Sequence, residues 1–267
     1  KMINIDLNSS IQKNFLNNGF IVSDIKEIEK LNSISKKFYD YSLDLLENKF
    51  NVTSDSLSFF NNIHNQLKIE ALNDFRLNLI NKINSDKEIK NNLYSVAKIF
   101  LDELVGNELA IQRRLNLSIQ YPNDDSSLLP IHADTWSGDS PYEIVVWLPL
   151  VDCFKTKSMY ILPPKFANEI NKSFNEKLNI SANDLYYEIK DNVKWIDIKY
   201  GQIMLFNQSL PHGNVVNEEN ETRWSINCRF KGLFTPYGDK KLGEFFEPLS
   251  TKLMTKIGMN YKYPNTK

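Results

Sequence analysis

The period of the hydrophobic pattern changes once along this chain, at Gly106, and that change constrains the fold more than any other feature. Before it, Ile28, Leu31, Ile34, Phe38, Tyr41 and Leu45 recur at helical spacing. Two further helical stretches are predicted over about 63–83 and 86–105, with Gly106 as the C-terminal stop. After it the alternation is two-fold. Over 109–121, Gln112, Arg114, Asn116, Ser118 and Gln120 share one face, and Leu115, Leu117, Ile119 and Tyr121 share the other. That polar face could meet solvent or line the wet interior of a barrel. Dense apolar strands are predicted over 142–151 and 158–162, the second stopped by Pro163-Pro164. Strands over 193–198 and 202–206 flank a Tyr200-Gly201 turn. In the last strand, 223–230, Arg223, Ser225, Asn227 and Arg229 alternate with Trp224, Ile226, Cys228 and Phe230.

Helices first and short strands afterwards predict an α+β chain with a sandwich or barrel core. A helical part, 1–108, is expected to pack on a strand core, 109–267, as one structural domain. Residues 165–190 read as a polar, partly helical insertion. Near the start, Asn18 to Val22 reads as a turn and a short strand, and Asp24 with Glu27 has the spacing of a capping box for the helix that follows.

The 267 residues are enough to bury a core without disulfides. The net charge is −1, and basic residues cluster no further than pairs such as Lys36-Lys37 and Arg113-Arg114, so neither nucleic acid nor an anionic membrane is the expected partner. No apolar run has the ~18 residues of a membrane span, and the opening residues lack the pattern of a secretory leader. Lys1 precedes Met2 and reads as an addition. Cys153 and Cys228 stand alone in apolar runs, which suits reduced thiols and a cytoplasmic location.

The chemistry-bearing residues are few. The histidines are His64, His132 and His212. His132 and Asp134 form an H-x-D pair, and residues i and i+2 at a strand end point the same way. His212 lies later, between two predicted strands. Two imidazoles and one carboxylate on one face of an octahedron leave three positions open, as in Fe(II) oxygenases. The same set could hold catalytic zinc. Arg223, with Ser225 two residues on, adds a fork for the distal carboxylate of a 2-oxo diacid, a feature without a role at a zinc site. His64 reads as a structural histidine.

Several segments resemble the phytanoyl-CoA-dioxygenase-like branch of the 2-oxoglutarate/Fe(II) oxygenases. They are Asn18 to Val22, His132-Ala133-Asp134, Val146 to Leu150, Gly201 to Phe206, and Pro211-His212-Gly213-Asn214 with Arg223. The resemblance implies a double-stranded β-helix (jelly-roll) core with flanking helices, with Fe(II) and 2-oxoglutarate as cofactors and O2 as co-substrate. It assigns the metal to His132, Asp134 and His212 and the 2-oxoglutarate carboxylate to Arg223; Ser225 and Asn116 are the further residues expected at the 2-oxoglutarate site. A retained Asp134 points to hydroxylation, with desaturation and epimerisation still open. The segment 155–164 departs from the N-G-x-L-x-x-x-P-G-S-H stretch of many relatives, so no substrate carries over. A narrower resemblance lies in Gln112 to Arg114, Asn116 to Gln120, Ser137 to Pro141 and Thr156 to Tyr160. It is to a subgroup from bacterial surface-carbohydrate gene clusters, and implies a place in surface-polysaccharide biosynthesis rather than a particular substrate; the expected substrate is a small polar, carbohydrate-related molecule such as a sugar or sugar conjugate. Gln112, Arg114, Trp136, Glu143, Trp147 and Lys157 are the expected pocket residues, or else, in the case of Arg114 and Glu143, an ion pair in the barrel wall. A zinc hydrolase and a cupin-like binding module without turnover are the alternatives.

Overall fold

The computed structural model describes residues 9–46, 55–172 and 180–264. Lys1, and residues 173–179 of the predicted insertion, lie outside the described residues. Helix α1 (Ser10–Asn18) starts at Ser9, whose hydroxyl accepts the Gln12 N–H at 3.2 Å. Gly19 ends it in the left-handed region, φ 74°, and turns the chain into β1 (Phe20–Asp24). A Cβ at Gly19 would also strike Leu210, so conformation and packing both require glycine there.

Helices α2 (Ile28–Leu45), α3 (Ser56–Asn62), α4 (Ile69–Ser85) and α5 (Lys87–Leu104) follow. Most of their periodic apolar residues are buried: Leu31, Ile34 and Phe38 of α2, Leu72, Phe75 and Leu79 of α4, Leu93, Val96 and Phe100 of α5; Ile28 at the start of α2 is exposed, and Tyr41 and Leu45 are half-buried. Gly106 closes α5 by donating its N–H to the Leu101 carbonyl at 3.0 Å. The capping box does not form. Asp24 stays in the strand and accepts from Gln202 Nε2 at 2.8 Å, while Glu27 is the N-cap and makes no side-chain cap bond. Sheet pairing of Asp24 with Gln202 outcompetes the local cap.

The strands are β2 (Leu109–Gln112), β3 (Asn116–Gln120), β4 (Glu143–Pro149), β5 (Tyr160–Ile161), β6 (Lys194–Trp195), β7 (Gln202–Asn207), β8 (His212–Gly213), β9 (Arg223–Gly232) and β10 (Phe246–Ser250). Helices α6 (Pro164–Lys172) and α7 (Ala182–Ile189) lie between β5 and β6, and α8 (Leu253–Met259) follows β10. One sheet has the order β1-β7-β4-β9-β2-β10 with β3 also on β9; a second has the order β6-β5-β8. Every ladder between these strands is antiparallel.

The single strand expected over 109–121 is two. Asn84 of α4 interrupts it: its Oδ1 accepts the Leu115 N–H at 2.7 Å and its Nδ2 donates to the Leu115 carbonyl at 3.2 Å. One side-chain amide thus satisfies both backbone groups that a ladder would have used. β9 divides the molecule. Trp224, Ile226, Cys228 and Phe230 are buried in the apolar core. Trp224 donates its indole N–H to the Phe60 carbonyl at 2.9 Å and packs edge-on to Phe75. Arg223, Ser225, Asn227 and Arg229 line a cavity on the other face. The two cysteines are buried free thiols, pushed up to about 12 by burial. Among the described residues no helix is long and apolar enough to cross a membrane.

Candidate functional site

His132 and His212 are brought together by their own backbones. The His132 N–H donates to the His212 carbonyl at 3.0 Å, and the His212 N–H donates to the His132 carbonyl at 2.8 Å. Asp134 continues this pairing, its N–H donating to the Gln208 carbonyl at 3.0 Å. Each imidazole is then fixed by the carbonyl two residues earlier. Nδ1 of His132 lies 2.8 Å from Pro130 O, and Nδ1 of His212 lies 2.8 Å from Leu210 O. A carbonyl only accepts, so both rings carry their proton on Nδ1 and leave Nε2 as the free lone pair, which is how metal-ligating histidines are commonly oriented. His132 Nε2 is 3.6 Å from Asp134 Oδ1, and one ligand atom from each of the three residues falls within 4.8 Å of the others. These residues could hold a metal ion. Burial first, then the neighbouring His132, hold the His212 imidazole down to about 4, so it is neutral at ordinary pH.

Gly213 allows this approach. A Cβ there would lie 2.7 Å from the Tyr160 hydroxyl and 2.8 Å from the Leu129 carbonyl. Asp134 is held by an arginine that sequence reasoning gave no role. Arg229 Nη2 lies 2.9 Å from Asp134 Oδ2, and its Nε donates to Gln208 Oε1 at 2.9 Å. Burial pushes the Asp134 carboxyl up, but Arg229 and then His212 outweigh it and hold the group below the usual carboxylate range. Gln208 Nε2 donates in turn to Glu143 Oε2 at 2.8 Å and to the Ser140 carbonyl at 3.0 Å. Asp139 sits 3.8 Å from Arg229 and takes Lys240 Nζ at 2.6 Å. The Ser137 to Pro141 motif therefore braces Arg229.

The three metal-ligand candidates line a cavity of about 460 Å³. Arg223, Ser225, Asn116 and Trp147 share that lining, as do Ser118, Asn214, Asn227, Arg76 and Arg229. Arg223 donates from Nη1 to the Ser158 carbonyl and from Nη2 to Ser118 Oγ, both at 2.9 Å. Among the described residues its Nε, and the Ser225 hydroxyl two residues on, are buried without a hydrogen-bond partner. Buried polar groups are nearly always satisfied, so these two, on residues that line the cavity, have hydrogen-bonding capacity left for a polar ligand. Burial pushes Arg223 down to about 10, which leaves it charged at neutral pH.

Five expected pocket residues lie outside this lining. Arg114 falls in the break between β2 and β3, is exposed, and donates to Asn81 Oδ1 at 2.8 Å; the expected ion pair with Glu143 gives way to that bond. Gln112 is buried behind Asn116, donating to its Oδ1 at 3.4 Å. Glu143 is buried behind Arg229 in the Gln208 network, and burial pushes its carboxyl up. Trp136 lies on a 3₁₀ turn, Asp134–Ser137, which ends the i, i+2 alternation, and its Nε1 points to Asn171 Oδ1 at 3.5 Å. Lys157 is fully buried between Asn61 and Glu221, at 2.8 and 2.6 Å. His64 bonds Thr222 Oγ1 at 2.9 Å, away from the cavity.

Neither a described protein family nor a curated relative matches the chain. Solved structures do. HygX from Streptomyces hygroscopicus, described with nickel and 2-oxoglutarate bound, is 11% identical; the likeness covers 88% of this chain and 90% of that one, with a TM-score of 0.53. Apo ThoJ, described as a non-heme monooxygenase, is 13% identical over 91% of this chain and 84% of that one, with a TM-score of 0.52. At such identities the likeness shows the fold alone.

Proposed function

We propose that this protein is an Fe(II)- and 2-oxoglutarate-dependent oxygenase of the phytanoyl-CoA-dioxygenase-like kind, with a double-stranded β-helix core, that hydroxylates a small polar molecule. The observation that carries this reading is the pairing of two unrelated features in one cavity: the His132, Asp134, His212 ligand set and the orphaned Arg223 Nε and Ser225 hydroxyl. Two imidazoles and a carboxylate suit iron with open positions. A buried guanidinium beside a free hydroxyl suits the far carboxylate of a 2-oxo diacid. HygX, of similar fold, is described with 2-oxoglutarate bound.

Each residue then has a task. His132 and His212 would offer Nε2, their Nδ1 protons fixed on Pro130 and Leu210. Asp134 would offer Oδ1, because Arg229 holds Oδ2. Arg223 and Ser225 would bind the distal carboxylate, with Ser118 and Asn116 beside them. Val145, Trp147, Met159 and Phe206 give the cavity an apolar wall that limits water at the metal. When bound, iron and 2-oxoglutarate supply the activation of O2, coupled to oxidation of 2-oxoglutarate to succinate and CO2. The carbohydrate-cluster resemblance supports a sugar-related substrate, and the buried free thiols are compatible with a cytoplasmic enzyme. The test is succinate formation from 2-oxoglutarate with Fe(II) and O2, present in the wild type and lost in His132→Ala. Tight zinc with no succinate under any condition would sink the oxygenase reading.

A further inference from the structure

The cavity carries more positive charge than the proposed cofactors use. Its lining includes Arg76, Arg223 and Arg229, and Asp134 is its one carboxylate among the described residues. Iron and the 2-oxoglutarate dianion cancel each other's charge. Arg229 is spent on Asp134 at 2.9 Å, and Arg223 on the proposed 2-oxoglutarate site. Arg76 remains. It projects from α4, half-buried, onto the half-buried Ser127, and the lining also includes the exposed Ser126 and Leu129. Among the described residues its bonds go to neutral oxygens: Nη1 to Ser127 Oγ at 3.3 Å and Nη2 to Asn73 Oδ1 at 3.0 Å. Ser127 Oγ accepts from Arg76, and its own proton has no acceptor among the described residues. A guanidinium beside a hydroxyl that can still donate is the donor pair that carboxylates and phosphates take. Among the described residues no ion pair joins Arg76 to a carboxylate, and the oxygens of Asp124 take the Ser126 N–H and hydroxyl at 3.0 and 2.9 Å. Asn116, Asn214 and Asn227 share the same lining; Asn116 Nδ2 donates to Asn227 Oδ1 at 2.8 Å and Asn214 Oδ1 accepts the Leu129 N–H at 2.6 Å, and the amide positions these bonds leave over suit hydroxyl groups.

We propose that the substrate is a small polyhydroxylated anion and that Arg76, with Ser127, holds its carboxylate or phosphate group at the rim of the cavity. This rests on the oxygenase reading, since it assigns Arg223 to 2-oxoglutarate. Excess cation in a walled cavity also raises the local concentration of anions, so capture should weaken as salt rises.

The experiment is calorimetric titration, without oxygen, of Fe(II)- and 2-oxoglutarate-loaded protein with inorganic phosphate, glucose 1-phosphate, glucuronate and glucose. At least one anionic sugar is expected to bind ten times or more tighter than glucose. The stronger of the phosphate and the uronate identifies the anionic group. Arg76→Gln should erase the preference, Arg76→Lys should keep most of it, and both should bind 2-oxoglutarate within about twofold of the wild type. An anion preference that survives in Arg76→Gln overturns the proposal, as does the absence of any preference in the wild type. A wild-type protein that takes up neither iron nor 2-oxoglutarate overturns the underlying reading as well.

Discussion

Replacing Arg229 by methionine removes the fixed cation against which Asp134 is buried. In the wild type Nη2 lies 2.9 Å from Oδ2, with the two side chains 14% and 9% exposed. Asp139 keeps Lys240 and is not stranded by the change. Without metal, the variant has two ways to fold. It can leave Asp134 ionised and unpaired, and breaking a buried pair in that way costs about 3–5 kcal/mol. Or it can protonate Asp134, which for an ordinary carboxyl at neutral pH costs about 4 kcal/mol. Both routes give a loss of roughly 3–4 kcal/mol at pH 7. A divalent ion on the same carboxylate replaces the missing charge, so saturating Mn(II) should shrink the loss to about half or less. Lowering the pH to 5 cheapens protonation by about 2.7 kcal/mol and should shrink the metal-free loss in the same way. The sign follows from the variant's carboxyl being raised: its folded form gains relative stability as pH falls. Urea denaturation of both proteins, with chelator and with Mn(II), at each pH, gives the four differences. A loss equal with and without metal, and unchanged by pH, would show that Arg229 acts through Gln208 and packing rather than through the Asp134 charge.

Three further changes test other parts of the site. Arg223→Leu should weaken 2-oxoglutarate binding at least about a hundredfold, from the roughly 3 kcal/mol of a charged hydrogen-bonded pair, while calorimetry shows metal binding within a few-fold. Gly213→Ala puts a methyl group 2.8 Å from the Leu129 carbonyl and 3.1 Å from the Ile131 nitrogen, both backbone atoms that cannot swing away. It should cost about 1–3 kcal/mol in urea denaturation and lower metal affinity, because the His132–His212 backbone pair must spread. Glu143→Gln concerns a carboxyl that burial raises above its ordinary value. The wild type has its full stability below the unfolded-state value and loses part of it as pH rises through the folded-state value. The variant should therefore gain in urea midpoint relative to the wild type between pH 4.5 and 7, and a gap that does not widen over that range contradicts the assignment.

The alternation of β9 was the most legible part of the chain. Ten residues without a break keep the period of two, so the sequence alone places Arg223, Ser225, Asn227 and Arg229 on one face. Reading that face to its end would have flagged Arg229 as a site residue. The H-x-D pair and His212 were legible for the same reason. Arg114 was misplaced because the alternation stops where Asn84, from a helix some thirty residues earlier, takes over the Leu115 backbone bonds. Trp136 and Lys157 sit on 3₁₀ turns, where a period of two has no meaning. Glu143 shares a face with Val145 and Trp147 as expected, yet ends beneath Arg229, and only tertiary packing sets that depth. Arg76 gave no signal at all. It stands on an ordinary amphipathic helix, and its place at the cavity follows from how α4 docks on β3.

On the proposed reading, one cavity takes iron on His132, Asp134 and His212 and 2-oxoglutarate on Arg223. Absorption spectroscopy of the oxygen-free protein tests it most directly, by adding Fe(II) and then 2-oxoglutarate. Bidentate chelation of iron by the 2-oxo acid produces a visible charge-transfer band. That band should appear with one equivalent of iron in the wild type, vanish in His132→Ala, and require far more 2-oxoglutarate in Arg223→Leu. A wild-type protein that binds Fe(II) yet shows no band at any 2-oxoglutarate concentration would contradict the account.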